Sequence, residues 1–301
     1  MLNDIVVAPR RGWLADLALG WKLRKRRYDL ALDFHGGPRA SLLTWLSDAP
    51  ERIGYDVAGR AWMYTRRVAR PRNLRPRHSV ENQWDLLASL GIGPPDPFRF
   101  PVEMPLDAAA QRAVEWRLQE AGITPDDTMI VIHVSAGNPF RRWPLESFAA
   151  LAADLAARDA RHRIVLTSGP SDRAAAARVA DEGRARLEEH ERRRIVSSGD
   201  FSIAELRALM ERAAVYIGGD SGPLHVAATS RVPIVGLYGP TLPARSAPWR
   251  DPALHAEAVE ILGLPCRPCD QRVCAPGDFR CLGMISAEQV AAAAVRLLGR
   301  R

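Results

Sequence analysis

Long hydrophobic runs are missing from this sequence. No stretch of its 301 residues reaches the ~18 consecutive apolar residues that a membrane-spanning helix needs. The start carries Asp4, Pro9, Arg10 and Arg11 where a secretory leader would have an apolar segment, so a cytoplasmic location is the expectation. There is no glycine-lysine-serine phosphate loop and no GxGxxG turn, which argues against a P-loop NTPase and a dinucleotide-dependent dehydrogenase. No nucleic-acid-binding module is recognisable either, and a nucleic-acid partner is not expected. Cysteine is scarce and confined to Cys266, Cys269, Cys274 and Cys281. In a cytoplasmic protein such a cluster points to a metal more readily than to disulfides. Its spacing matches no standard zinc module, so a metal site and ordinary or redox-labile thiols both stand.

What is present is globular. Hydrophobic residues make up 47% and charged residues 26%, a balance that a disordered chain does not have, and the length suffices for two domains. The formal net charge is +7, with much of the arginine in the first third. That surplus favours anionic partners such as sugar nucleotides, phosphorylated glycolipid or an acidic membrane surface; liberal use of arginine by the genome would produce the same balance.

Residues 2–8 are apolar enough for a strand. Leu14, Leu17, Ala18 and Trp21 recur at helical spacing and lead into Lys22, Arg24, Lys25, Arg26 and Arg27, cations that suit a helix C-terminus. This basic end fits either a membrane-surface contact or a solvated face. Residues 28–34 read as a buried strand running into His35-Gly36-Gly37-Pro38-Arg39 and a helix through Trp45. Arg39, in that helix's first turn, is either a bidentate clamp for an anionic substrate or a surface cation beside a tight turn. Residues 52–55 form another short strand. Arg66, Arg67, Arg70, Arg72, Arg75 and Arg77 are interrupted by Pro71 and Pro76, which predicts a basic loop. A helix over 78–90, a proline-rich connector over 91–105 and a helix over 107–121 follow, the last with Asp107 as its N-cap.

From Thr128 the alternation becomes regular. Strands over 128–134, 164–167, 195–196, 213–217 and 232–238 are separated by helices over 145–157, from 171, over 203–213 and over 223–230. Ser202 and Glu205 form a capping box for the third of these. Strand–helix alternation predicts a parallel sheet covered on both faces, whose ligands sit at the strands' carboxyl ends. Two turns there stand out. One is Ser135-Ala136-Gly137-Asn138 leading to Arg141-Arg142-Trp143-Pro144. The other is Gly218-Gly219-Asp220-Ser221-Gly222-Pro223-Leu224-His225. The glycines are expected to adopt positive φ and admit a ligand to the backbone. Pro223 suits a first helical turn. Free N–H groups, the Ser221 hydroxyl and the helix dipole would face an anion.

The combination of RRWPLESFAAL, GGDSGPLHVAA and VPIVGLYGPT, with DFHGGPRASLLTWLSDAPERIGYD earlier, resembles glycosyltransferase family 9, the ADP-heptose lipopolysaccharide heptosyltransferases. The resemblance runs from about Tyr28 to the C-terminus. It implies an α/β protein of GT-B type, two Rossmann-like domains facing across a cleft. Residues 1–105 are then the acceptor-side domain, 106–285 the donor domain and 286–301 a C-terminal helix. It implies inverting, metal-independent transfer of heptose from ADP-heptose to inner-core lipopolysaccharide, with no cofactor required. The partners are then a sugar nucleotide and a phosphorylated glycolipid, with peripheral inner-membrane association. Carried over position by position, Ser135, Arg141, Asp172, Asp220, Ser221, Gly222, Pro223 and His225 fall on the donor site and Arg39 on the acceptor side. At Arg141 the family usually has a lysine. The family also opens with a strand, glycine-rich turn and helix whose aspartate serves as general base. That element has no counterpart here, and matching residues 28–34 places roughly 50–60 residues of it before Met1, about a βαβ unit plus a strand. Asp33 and His35 are the nearest weak stand-ins. The alternative to a working transferase is a catalytically impaired nucleotide-binding protein or scaffold in glycan assembly.

Overall fold

The computed structural model describes residues 3–8, 12–69, 77–135, 138–269 and 271–299. Two compact units divide between Pro95 and Asp96, inside the proline-rich connector.

The first unit contains α1 (Trp13–Lys25), β1 (Leu30–Leu32), α2 (Pro38–Leu46), β2 (Glu51–Tyr55), β3 (Arg66–Val68) and α3 (Ser79–Ala88). Its strands form a parallel sheet in the order β1-β2-β3, with Leu32 opposite Ile53 and Ile53 opposite Arg66. The core is small: Ile53, Tyr55 and Leu86 are buried, with Leu32, Val57, Val68 and Leu90 packed against them. On α1, Trp13, Leu14, Leu17 and Trp21 are exposed. Residues 3–8 adopt no strand, because a short apolar run becomes a strand only when a neighbour takes its backbone hydrogen bonds. The basic loop expected from Arg66 onward begins instead as β3. Its prolines come later, so its N–H groups can still pair with β2, and Arg66 lies 2.6 Å from Glu51. Arg70, Pro71, Arg72, Arg75 and Pro76 lie outside the described residues.

The second unit contains α4 (Ala108–Glu120), β4 (Thr128–Val134), α5 (Leu145–Arg158), β5 (His162–Ser168), α6 (Arg173–Arg184), β6 (Ile195–Asp200), α7 (Ile203–Arg212), β7 (Val215–Gly219), α8 (Gly222–Ala228), β8 (Ile234–Tyr238), α9 (Pro243–Ser246), β9 (Ala256–Glu260), α10 (Arg280–Gly283) and α11 (Ala287–Leu298). The sheet is wholly parallel, in the order β6-β5-β4-β7-β8-β9. Along β4 the side chains alternate: Ile130, Ile132 and Val134 pack with α5, α6 and α11, while Met129 and Val131 pack with α4, α7 and α8. Both faces are therefore apolar, and β4 reads as an unbroken hydrophobic run. Ser202 and Glu205 make the expected capping box, and Asp107 caps α4 by accepting the Ala110 N–H at 2.8 Å. Buried Arg250 donates to the Ser230 and Val232 carbonyls, both at 2.8 Å, and so fixes the turn between α8 and β8.

The chain leaves β4 toward β5 and β6 on one side and returns to β7 on the other. In an open parallel sheet this reversal leaves a crevice at the carboxyl ends of the two diverging strands. The loops after β4 and β7 border that crevice.

Candidate functional site

After β4, half-buried Ser135 leads toward Asn138; Ala136 and Gly137 lie outside the described residues. Asn138 Oδ1 accepts the Phe140 N–H at 3.0 Å and caps a 3-10 turn over Pro139–Arg141. Trp143 then anchors the loop: it is 1% exposed, and its Nε1–H donates to the Ile285 carbonyl at 2.9 Å. Two residues upstream of this anchor, Arg141 donates from Nη1 to the Asp220 carbonyl at 2.8 Å and from Nε to Gln271 Oε1 at 2.9 Å. The β4 and β7 loops are thus joined by the cation that the sequence assigned to the donor.

Asp220, 7% exposed, organises the far wall. Its Oδ2 accepts hydrogen bonds from Thr241 Oγ1 at 2.6 Å and Ser246 Oγ at 3.0 Å. Oδ1 is left with the longer contact to His225 Nε2, at 3.7 Å. Burial alone would push this carboxyl up. His225, the Thr241 and Ser246 hydroxyls and the Arg141 charge outweigh it and hold the group below the ordinary aspartate value. Asp220 is therefore an anion at neutral pH. Ser221 is the N-cap of α8, and Pro223 occupies the first turn. The Ser221 hydroxyl makes no cap bond and donates back to the Gly219 carbonyl at 3.2 Å.

The glycines of this turn differ from expectation. None of Gly218, Gly219 and Gly222 has positive φ. A Cβ on Gly218 would lie 2.5 Å from the Tyr216 hydroxyl, whereas one on Gly222 would meet open space. Gly218 is required by the packing of its own strand, whereas Gly222, and Gly219 with the Arg141 carbonyl 3.8 Å from its would-be Cβ, leave room.

Asp172 ends the 3-10 turn after β5 and makes no cap bond to α6. It lies close enough to His133 to be felt electrostatically. His133, 6% exposed at the end of β4, pairs through Nδ1 with Thr167 Oγ1 at 3.0 Å. Burial pushes its imidazole down to about 4, and the Asp172 charge offsets only part of this. The folded pKa lies below the unfolded one, so the unfolded chain takes up this proton first. The neutral imidazole's stability is complete above pH ~6.5 and is lost as pH falls toward 4, about 2 kcal/mol between about pH 7 and pH 5. His133→Asn, which keeps a partner for Thr167, is expected to remove that portion of the acid sensitivity. Urea unfolding of both proteins at the two pH values measures it; equal pH slopes would contradict the assignment.

The remaining assigned residues lie elsewhere. In the first unit Arg39 donates from Nε and Nη2 to Asp16 Oδ1, at 2.9 and 2.6 Å. Asp33, 3% exposed, accepts from the Tyr64 hydroxyl at 2.6 Å, the Ser41 hydroxyl at 3.3 Å and the His35 and Gly36 N–H groups at 3.0 and 2.8 Å. The shared proton stays on Tyr64, whose pKa is pushed up to about 12 by burial and by Asp33. His35 Nδ1 accepts the Gly37 N–H at 3.0 Å. Asp33 and His35 therefore brace the turn into α2. Cys266, Cys269, Cys274 and Cys281 are free thiols, each half-buried. No group of three or more His, Cys, Asp or Glu side chains among the described residues is arranged to hold a metal ion. No helix among the described residues is long and apolar enough to cross a membrane.

Thr241, Ser246 and Gln271 join the site without having been singled out from the sequence. Thr241 closes the VPIVGLYGPT segment and so had a signal; Ser246 and Gln271 had none.

The family model of glycosyltransferase family 9 (heptosyltransferase) matches residues 17–278. Lipopolysaccharide heptosyltransferase 3 of Escherichia coli is 28% identical over 279 residues, covering 92% of this chain and 77% of its own length. Among solved structures, the glycosyl transferase family 9 protein of Veillonella parvula superposes with a TM-score of 0.80 at 23% identity, covering 98% of this chain and 82% of that one. The ADP-heptose lipopolysaccharide heptosyltransferase II of E. coli superposes with a TM-score of 0.71 at 20% identity, covering 95% and 81%. These likenesses show an α/β fold of the GT-B type.

Proposed function

The chain belongs to glycosyltransferase family 9, and from that premise we propose that it transfers heptose from ADP-heptose to inner-core lipopolysaccharide. The observation that carries this reading is the crevice between β4 and β7, where Arg141 and the Asp220 network face each other across the sheet's reversal point. In the reaction, an acceptor hydroxyl attacks the anomeric carbon from the face opposite the diphosphate, and its proton passes to a base or to solvent water as the new bond forms. The bond to the diphosphate oxygen breaks, ADP leaves with its charge, and the anomeric configuration inverts. Arg141 offers that leaving group a guanidinium, a cation whose N–H donors match phosphate oxygens, so we assign the role to it rather than to a metal. Asp220 carries no affinity for a diphosphate of its own sign. Its Oδ1, which among the described residues has the longer contact to His225 at 3.7 Å, suits a sugar hydroxyl instead. Ser135, Asp172, Ser221, Gly222, Pro223 and His225 complete the donor side in this reading.

Arg39 serves the acceptor side. Its pairing with Asp16 means that an acceptor phosphate gains it by exchange. Because Asp33 already accepts four hydrogen bonds, we assign it to holding its turn rather than to taking the acceptor's proton. A glycolipid acceptor places the work beside a membrane. The exposed Trp13, Leu14, Leu17 and Trp21 on α1, followed by its basic end, support peripheral attachment.

The direct test incubates the full chain with ADP-heptose and a heptose-deficient inner-core acceptor, then follows ADP release and the acceptor's mass. One added heptose with inverted anomeric configuration is the expected product. ADP binding without transfer would defeat this reading.

A further inference from the structure

The segment carrying the four cysteines touches both walls of the crevice. On one side, Phe279 packs edge-on against Phe140 of the β4 loop, with centroids 5.3 Å apart. On the other, Arg267 donates to the Thr241 carbonyl at 2.7 Å and to Glu260 at 2.7 Å, and the Cys269 N–H donates to the Pro240 carbonyl at 3.0 Å. Gln271 stands between these anchors. Its Oε1 accepts the Arg141 Nε–H at 2.9 Å, and its own N–H donates to Cys269 Sγ at 3.3 Å.

The backbone of Gln271 is unusual. Its φ is 60°, a left-handed conformation that a residue with a side chain adopts only when its surroundings enforce it. Here the enforcing contacts are the two anchors, and the consequence is an amide aimed at Arg141. The guanidinium is then held from two directions, by Gln271 at Nε and by the Asp220 carbonyl at Nη1. Its Nη2 end takes part in neither bond. A planar guanidinium held at Nε and at Nη1 can no longer turn about its own axis, so the N–H groups of Nη2 point in a defined direction, and oriented N–H donors recognise phosphate oxygens well.

We propose that Gln271 is a positioning residue for the donor: it locks the Arg141 guanidinium so that its Nη2 end meets the diphosphate of a nucleotide sugar. This rests on the donor-site reading above. It gives the cysteine-bearing segment a role in recognition that requires no metal on the thiols.

The experiment is a calorimetric titration of ADP into the full-length parent, Gln271→Met, Arg141→Ala and the double variant, with melting temperatures recorded for each. Methionine keeps the length of the side chain and removes the acceptor. The expected result is a ~10-fold weaker Kd for Gln271→Met at a melting temperature close to the parent's, and no further weakening when the substitution is added to Arg141→Ala. Three outcomes overturn the proposal. Parent-like affinity for Gln271→Met, with Arg141→Ala impaired, removes the role of Gln271 and leaves the donor site standing. An equal loss in both backgrounds shows that Gln271 acts through the fold rather than through Arg141. Unchanged affinity for Arg141→Ala itself removes the donor-site reading, and this inference with it.

Discussion

Asp220→Ala is expected to cost the second unit about 3 kcal/mol and to weaken ADP-sugar binding at least ~30-fold. The stability loss follows from what the substitution leaves behind. Thr241 and Ser246 lose the oxygen they share, and the Arg141 guanidinium loses a carboxylate that it interacts with electrostatically. Removing one member of a buried, satisfied network is far costlier than never having built it. The sign of the pH dependence is fixed by the lowered pKa. The carboxylate's contribution is complete above the unfolded value of about 4 and disappears only as pH falls through the folded one, so the full loss appears at neutral pH.

Asp220→Asn separates the two roles. The amide oxygen can still accept from Thr241 or Ser246, so the stability loss should be within about 1.5 kcal/mol. The other end of the side chain becomes a donor where Oδ1 offered an acceptor. If Oδ1 receives a sugar hydroxyl, this variant keeps its affinity for ADP and loses the additional affinity that the sugar contributes. Titrations of ADP and ADP-heptose into the folded variant measure that difference. A variant that retains the sugar's full contribution would show that Asp220 organises the wall without touching the sugar.

The second unit was legible because its physics is local. The apolar run of β4, the Ser202–Glu205 capping box and the alternation of strands with helices each depend on residues close in sequence, and each is present. Elements defined by distant partners were not. The residues of β9, Ala-Glu-Ala-Val-Glu, are mostly half-exposed or exposed and carry no strand signature; the strand exists because β8 offers an unpaired edge and because Arg296 of α11 pairs with Glu257. Residues 3–8, within the strand expected over 2–8, adopt none for the opposite reason. Motif residues were visible as types, but their roles were set by contacts the sequence does not display. Gly218 makes way for Tyr216 rather than for a ligand. Asp33 could be named only as a weak stand-in for a general base, whereas its four donors belong to His35, Gly36, Ser41 and Tyr64. Arg141 and Gln271 are 130 residues apart, a separation over which no periodicity or motif could link them.

Trp143→Ala is expected to be the most destabilising single change in the second unit, at about 3–5 kcal/mol. The side chain is 1% exposed within the core between the sheet, α5 and α11, and its ring meets Phe148 edge-on at 4.6 Å. Truncation opens a cavity and leaves the Ile285 carbonyl, which receives the indole N–H at 2.9 Å, without that donor in a buried place. The proposed donor site is affected as well, because Trp143 holds the loop that presents Arg141 two residues earlier. Trp143→Phe distinguishes packing from anchoring. It keeps most of the buried ring and loses the N–H, so a cost of about 1–2 kcal/mol is expected. Arg141 retains its bonds to Gln271 and the Asp220 carbonyl, so ADP affinity should stay within about threefold of the parent. Urea unfolding followed by circular dichroism, with ADP titrations on the folded variants, gives both quantities. If Trp143→Phe instead loses ADP as completely as Arg141→Ala does, the indole N–H contact with Ile285, and not the bonds made by Arg141 itself, is what sets the guanidinium in place.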